Sequence, residues 1–163
     1  MIRCIVAVDS NNGIATENGI PWDVPIDRQY FRSKTVNSTI VMGYGMYQEL
    51  AEPLPDRRNI VVVREGTKLR TGFEKVTDVI DFLRSTMEDV WVVGGAKIYQ
   101  ATISMLDELY ITQIDGDFHC TKFFPEYTDA FKRVDNEPSQ TDNGINFTFS
   151  HWKRTTHLLH KQR

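Results

Sequence analysis

Short apolar runs alternate with amphipathic stretches along most of the chain. Ile60-Val61-Val62-Val63 and Val90-Trp91-Val92-Val93 are continuously apolar, which is how strands buried on both faces read. The same pattern predicts strands over residues 2–8, 39–42, 59–63, 73–76, 90–93 and 108–114. Helical periodicity predicts helices over 25–35, 46–51, 77–85 and 96–105. Strands alternating with helices argue for a largely parallel sheet covered by helices. The last third breaks the alternation. Residues 131–134 and 147–155 read as strands with no helix between them, so an antiparallel hairpin is expected at one sheet edge. Pro138-Ser139-Gln140-Thr141-Asp142-Asn143-Gly144 reads as a loop by composition. The polar, basic tail His157–Arg163 is expected to fray. With no internal repeat or linker, residues 1–163 read as a single domain.

Composition narrows the class. Net charge is −3, with 19 basic and 22 acidic residues. That balance gives no electrostatic footprint for nucleic acid or an anionic membrane. The two cysteines, Cys4 and Cys120, make neither a disulfide framework nor a metal-ligand cluster, so no metal site is expected. The apolar start is too short for a signal peptide, and no later run has transmembrane length. The expectation is a cytoplasmic protein that works as a monomer.

Five segments could carry chemistry. Val92-Val93-Gly94-Gly95-Ala96-Lys97-Ile98-Tyr99 is a buried strand, a glycine pair and a helix. Such a junction lets backbone approach a ligand and presents helix N–H groups to a pyrophosphate; alone, it also fits a plain strand-to-helix turn. It is not the G-x-G-x-x-G fingerprint. Val41-Met42-Gly43-Tyr44-Gly45-Met46 is a second junction of the same kind. Ligands of open α/β sheets sit beyond the carboxyl ends of the strands. In Gly19-Ile20-Pro21-Trp22-Asp23-Val24-Pro25-Ile26-Asp27, Pro25 suits the first helical turn and puts Asp27 on a face with Tyr30 and Phe31. A carboxylate there either serves the helix dipole from solvent or belongs to a site. Pro53-Leu54-Pro55-Asp56-Arg57-Arg58 is a rigid loop presenting guanidiniums that could grip a carboxylate, and Arg64 follows a strand end.

Taken together and in order, these segments resemble dihydrofolate reductase. The resemblance runs from the first strand through Gly13-Ile14, Asn18-Gly19-Ile20-Pro21-Trp22, Asp27 with Phe31, Val41-Met42-Gly43 and Pro53-Leu54-Pro55-x-Arg57-x-Asn59. It continues through Val92-Val93-Gly94-Gly95-x-x-Ile98-Tyr99, Leu109-Tyr110-Ile111-Thr112 and Phe123-Phe124-Pro125. It implies an α/β fold with a central, mostly parallel sheet of about eight strands, an antiparallel C-terminal edge strand and about four flanking helices. It further implies an NADPH-dependent oxidoreductase that reduces 7,8-dihydrofolate to tetrahydrofolate, with hydride passing to C6 and a proton to N5, in support of one-carbon metabolism and thymidylate and purine synthesis.

The resemblance also implies roles. Asp27, Trp22 and Ile20 carry the catalytic region. Ile5, Phe31, Arg32, Leu50, Leu54, Arg57, Val93 and Thr112 bind substrate, with Asp27 on the pterin edge, Thr112 behind it and Arg57 on the glutamate α-carboxylate. Ala7, Ile14, Gly43, Tyr44, Gly45, Met46, Val63, Arg64, Val93, Gly94, Gly95, Ala96, Lys97, Ile98 and Tyr99 meet the cofactor. One segment departs from the family pattern. After Gly43 the family usually carries a basic residue and then a threonine, where this chain has Tyr44, Gly45 and Met46. Arg64 and Lys97 remain as phosphate partners, and Tyr44 offers a ring for adenine. Arg28 would make the folate-tail side more basic. The alternatives are a catalytically idle folate- or nucleotide-binding protein and a related pterin or pyrimidine reductase on the same fold.

Overall fold

The structure, a computed structural model, describes residues 1–155; the tail His157–Arg163 lies outside them. Among the described residues the strands are β1 (Ile2–Val8), β2 (Gly13–Ala15), β3 (Thr39–Gly43), β4 (Arg58–Val62), β5 (Phe73–Val76), β6 (Val90–Gly94), β7 (Glu108–Ile114), β8 (Lys122–Phe123), β9 (Phe131–Arg133), β10 (Gln140–Asp142) and β11 (Ile145–Arg154). The helices are α1 (Pro25–Thr35), α2 (Tyr44–Glu49), α3 (Val79–Ser85) and α4 (Ala96–Thr102), the last running into a 3₁₀ turn at Ile103–Met105.

The main sheet has the order β10-β11-β7-β1-β6-β3-β4-β5, with β9 also paired to β11. From β7 to β5 every pairing is parallel, and β11 joins β7 antiparallel. β3 and β6 are buried at every residue; for β6 the continuous apolar run 90–93 predicts this. Alternation sorts their side chains to two faces. Val41, Val92 and Ile60 join a core with Cys4, Val6, Ile98, Tyr99, Leu109 and Ile111. Ile40, Met42, Val61, Trp91 and Val93 join a second core with Ile5, against which Phe31, Leu50 and Leu54 pack. Each such aliphatic side chain contributes about 1.5–3 kcal/mol on burial.

The C-terminal edge corrects the sequence reading in detail. Residues 131–133 and the end of β11 do pair antiparallel, with Trp152 opposite Arg133. A further strand, β10, occupies part of the expected 138–144 loop and pairs with the start of β11. Asn143 and Gly144, both at positive φ, make the two-residue connection that suits a tight hairpin. Gln140-Thr141-Asp142 carries no apolar alternation because it lies at the sheet edge, where polar residues are favoured. The small β2–β8 sheet was likewise unexpected, because it is short and its register slips between Gly13 and Ala15. α2 starts earlier than predicted, directly after Gly43, and α3 later, at Val79 behind the Asp78 cap.

Candidate active site

Asp27 sits in the first turn of α1, where Pro25 occupies the helix start. Val24 provides no side-chain cap. The cap comes from across the chain instead: the Ile26 amide donates to Asp142 Oδ2 of β10 at 2.8 Å. This orients the helix so that Asp27 faces β7, and Thr112 Oγ1 donates to Asp27 Oδ1 at 2.6 Å. Thr112 is almost fully buried and pairs in register with Ala7 of β1. Burial pushes the Asp27 carboxyl above its ordinary value, while the Thr112 hydroxyl and the Arg28 charge pull it back. A carboxylate held half-desolvated among apolar groups can present a negative charge to a cationic or protonating ligand edge.

The predicted helix face forms as expected. Tyr30 and Phe31 pack on the sheet and Thr35 is buried. Lys34 lies over the rings of Tyr30 and Tyr110. Ile5, Phe31, Leu50, Leu54 and Val93 come together in one apolar cluster beside Asp27's helix. At its rim, Arg57 donates from Nη1 to Thr35 Oγ1 at 3.0 Å and from Nε to the Pro55 carbonyl at 2.9 Å. Its pKa is lowered by desolvation and by the neighbouring Arg32 charge, with Asp56 opposing. Two guanidiniums therefore share the end of α1. Asn59 fixes the loop beneath them. It is buried, accepts from the Leu54 amide at 3.0 Å, and donates to the Leu54 and Arg57 carbonyls.

Beyond the carboxyl ends of β3 and β6 the two glycine junctions lie side by side, since Met42 pairs with Gly94. The Gly94–Gly95 peptide is cis. Gly94 has φ +117°, and a Cβ there would lie 3.2 Å from the Tyr99 hydroxyl. A Cβ on Gly43 would come within 2.8 Å of Ile98 Cγ1. Gly45 and Gly95, by contrast, open onto free space. Lys97, Arg64 and Tyr44 are exposed around this opening, and Tyr44 stacks on Tyr47 at 5.5 Å.

A family model for dihydrofolate reductase matches residues 1–154. The chain belongs to the dihydrofolate reductase family. It is 34% identical over 145 residues to the dihydrofolate reductase of Bacillus subtilis, covering 87% of this chain and 86% of that one. It is 33% identical over 129 residues to dihydrofolate reductase type 3 of Salmonella typhimurium, covering 78% and 80%. A solved dihydrofolate reductase from Enterococcus faecalis, complexed with NADP(H) and RAB-propyl, superimposes with a TM-score of 0.86 over 96% of this chain and 97% of that one, at 26% identity.

The residues that the family resemblance singles out lie in several parts of the fold. Asp27, Thr112, Ile5, Phe31, Leu50, Leu54, Val93, Arg32 and Arg57 gather around α1 and the sheet face beneath it. Tyr99 and Ile98 are buried against the glycines, and the Tyr99 hydroxyl donates to the Ile5 carbonyl at 2.7 Å. Ile20 stands 65% exposed, out from the pocket wall, whereas Trp22 is buried edge-on against Phe118. Ile14 and Val63 are buried, while Ala7 and Met46 are half-buried. Arg28 pairs with the exposed Asp23, away from Arg57. Sequence reasoning missed Asp142 and Asn59. Asp142 carries no local signal, because its partner lies in α1; Asn59 stands in the Pro53–Asn59 motif, which does not by itself show that its side chain ties the loop.

Proposed function

We propose that this chain catalyses NADPH-dependent reduction of 7,8-dihydrofolate to tetrahydrofolate, supplying reduced folate for one-carbon transfer. The observation that carries the reading is the Asp27–Thr112 pair beside the apolar cluster of Ile5, Phe31, Leu50, Leu54 and Val93. The glycine junctions support a dinucleotide. Gly45 and Gly95 leave space where side chains would intrude, and Gly43 and Gly94 admit the close packing of Ile98 and Tyr99. Gly94, Gly95, Ala96 and Lys97 would hold one side of the pyrophosphate, Gly43, Tyr44, Gly45 and Met46 the other, with Arg64 and Val63 nearby. Ala7 and Ile14 would meet the nicotinamide end. NADPH, when bound, supplies the hydride.

The chain's own residues orient the substrate and control charge and water. Asp27 accepts hydrogen bonds from the pterin amino edge, and Thr112 keeps its carboxylate aimed. The negative charge on Asp27 favours protonation of the weakly basic N5 without touching it. Ile20 and Trp22, on the loop leading into α1, limit water around that atom. Arg57, with Arg32 beside it, takes the α-carboxylate of the glutamate tail, because a guanidinium fork matches a carboxylate in bidentate fashion. The protein acts as a single domain and as a monomer.

The test follows NADPH consumption in the presence of dihydrofolate, for the native protein and Asp27→Asn, with NADH run alongside. Rapid native turnover, lost in the variant at neutral pH and partly regained in acid, supports the reading. A folded protein without turnover on either cofactor would replace it with the idle-binder or alternative-pterin reading.

A further inference from the structure

Asp9 is a buried carboxylate that the catalytic scheme does not use. It lies just past β1, 4% exposed. Its Oδ1 accepts the amides of Gly13 at 2.8 Å and Asn11 at 2.9 Å, and its Oδ2 accepts the amide of Phe118 at 3.0 Å. The Cys120 thiol adds a further hydrogen bond. Burial acts to raise its pKa, but the Phe118, Gly13 and Asn11 amides and the thiol outweigh burial and hold it below the ordinary carboxylate value. Hydrogen bonds donated to the charged form favour it.

The two oxygens serve different chain segments. Oδ1 fixes the corner that leads into Gly13 and Ile14. Oδ2 fixes the loop 115–121, whose Phe118 ring meets Trp22 edge-on, centroids 5.3 Å apart. Trp22 and Val24 share a core with Phe118, Ala7 and Ile26, and Asp27 follows directly. The intervening segment 13–22 is therefore held at its entrance by one carboxylate oxygen and at its exit by the other, through the Phe118 ring. Further ties join the same part of the fold: the Ser10 amide donates to the Gly116 carbonyl and the Gly116 amide to Ser10 Oγ, the Thr121 amide donates to the Ala15 carbonyl, the Asn12 side chain donates to the Phe124 carbonyl, and β2 pairs with β8. Close packing reinforces the arrangement, because a Cβ on Gly13 would lie 2.4 Å from Cys120 Cβ.

We propose that Asp9 is a positioning residue: its carboxylate sets the placement of segment 13–22, and so of Ile14, Ile20 and Trp22, relative to Asp27. The inference rests on the reductase reading for what that segment does, but not for whether Asp9 holds it. Asparagine keeps the shape of the side chain and supplies one acceptor oxygen, so its amide group must oppose either Phe118 N–H or the Gly13 and Asn11 pair.

The test compares native protein, Asp9→Asn, Phe118→Leu and Ser150→Ala. The last removes a buried hydroxyl that donates to the Ile111 carbonyl at 2.7 Å and serves as a control for stability loss alone. Two quantities are read: amide hydrogen exchange over residues 10–22 and 116–121, and single-turnover hydride transfer from NADPH to dihydrofolate beside dihydrofolate affinity. Asp9→Asn is expected to accelerate exchange in both segments and to slow hydride transfer by about tenfold, the order of one lost charge-assisted hydrogen bond, with dihydrofolate affinity held within about twofold. Ser150→Ala should change neither segment's exchange nor the hydride step. Unchanged exchange in 10–22, or hydride transfer slowed equally by Ser150→Ala, overturns the proposal. If Asp9→Asn does not fold, Phe118→Leu decides, since it keeps the amide but removes the ring from Trp22; an unaltered hydride step and unaltered 10–22 exchange then overturn it. A native protein without turnover rejects the reductase reading instead, and the exchange data still judge the placement role.

Discussion

Thr112 Oγ1 lies 2.6 Å from Asp27 Oδ1, which joins the first turn of α1 to the middle of β7 at a buried threonine. The donated hydroxyl proton fixes the direction of the Asp27 side chain and favours its charged form. Thr112→Val keeps the shape and removes the donor. The Asp27 carboxyl should then rise further, because burial is no longer opposed by the hydroxyl. The acid limb of the rate–pH profile is expected to move to higher pH, and kcat/KM to fall by about tenfold or more, as for a hydrogen bond to a charged group. An unmoved acid limb would show that the profile is set elsewhere.

Asp27→Asn should oppose activity and stability. The folded-state pKa of Asp27 is raised above its unfolded value. The fold therefore favours the protonated form, and stability is lost as pH rises from the unfolded pKa through the folded one. At neutral pH the neutral amide is expected to stabilise the protein and raise Tm, by about 2–4 °C for each kcal/mol gained. The advantage should shrink below the unfolded pKa. Activity at neutral pH is expected to drop by about a hundredfold or more, the scale of one lost electrostatic stabiliser. Calorimetry across pH, beside turnover, checks both.

Arg57→Ala is expected to raise KM for dihydrofolate by about ten- to a hundredfold with a smaller effect on kcat, because the tail contact is made equally in ground and transition states. A dihydropterin lacking the glutamate should be insensitive to the change. Loss of Arg57 also removes a donor from Thr35 Oγ1, which keeps its own bond to the Phe31 carbonyl, so Tm should be recorded in parallel. Equal losses for both substrates would assign Arg57 to loop structure rather than tail recognition.

Gly13→Ala should be destabilising. The added methyl would sit 2.4 Å from Cys120 Cβ and 2.8 Å from Cys120 Sγ, and overpacking of this kind costs about 1–3 kcal/mol. Because the nearest obstruction is Cβ, Cys120→Gly combined with Gly13→Ala should restore more stability than Cys120→Ala. Denaturant melts of the single and double variants supply the comparison.

Tyr44 is 44% exposed, beside the open space at Gly45. Tyr44→Ala is expected to weaken NADPH and NADH alike by about five- to a hundredfold if its ring packs on adenine, since stacking carries about 1–3 kcal/mol per base. Tyr44→Arg should instead strengthen NADPH selectively. Fluorescence titration with both dinucleotides distinguishes these effects; no change in Tyr44→Ala removes adenine stacking.

The local pattern by itself determined most of the sheet. Continuous apolar runs at 60–63 and 90–93 became central strands because burial on both faces tolerates no polar alternation, and Pro25 fixed the start of α1 and hence the face carrying Asp27 and Phe31. The ordered motifs from Gly13 to Pro125 pointed to the family, and with it to Asp27, Thr112 and Arg57. Tertiary structure alone decided what depends on contacts distant in sequence. Asp142 caps α1 from 116 residues away, β10 forms from a segment with no apolar signature, and Asp9 joins loops whose contacts span 109 residues. Ile20 and Trp22 lie two residues apart, yet one is exposed and the other buried, because Phe118, not the local sequence, supplies the surface that Trp22 packs against. Periodicity encodes which face a side chain takes; it carries no record of the distant donor or ring that face will meet.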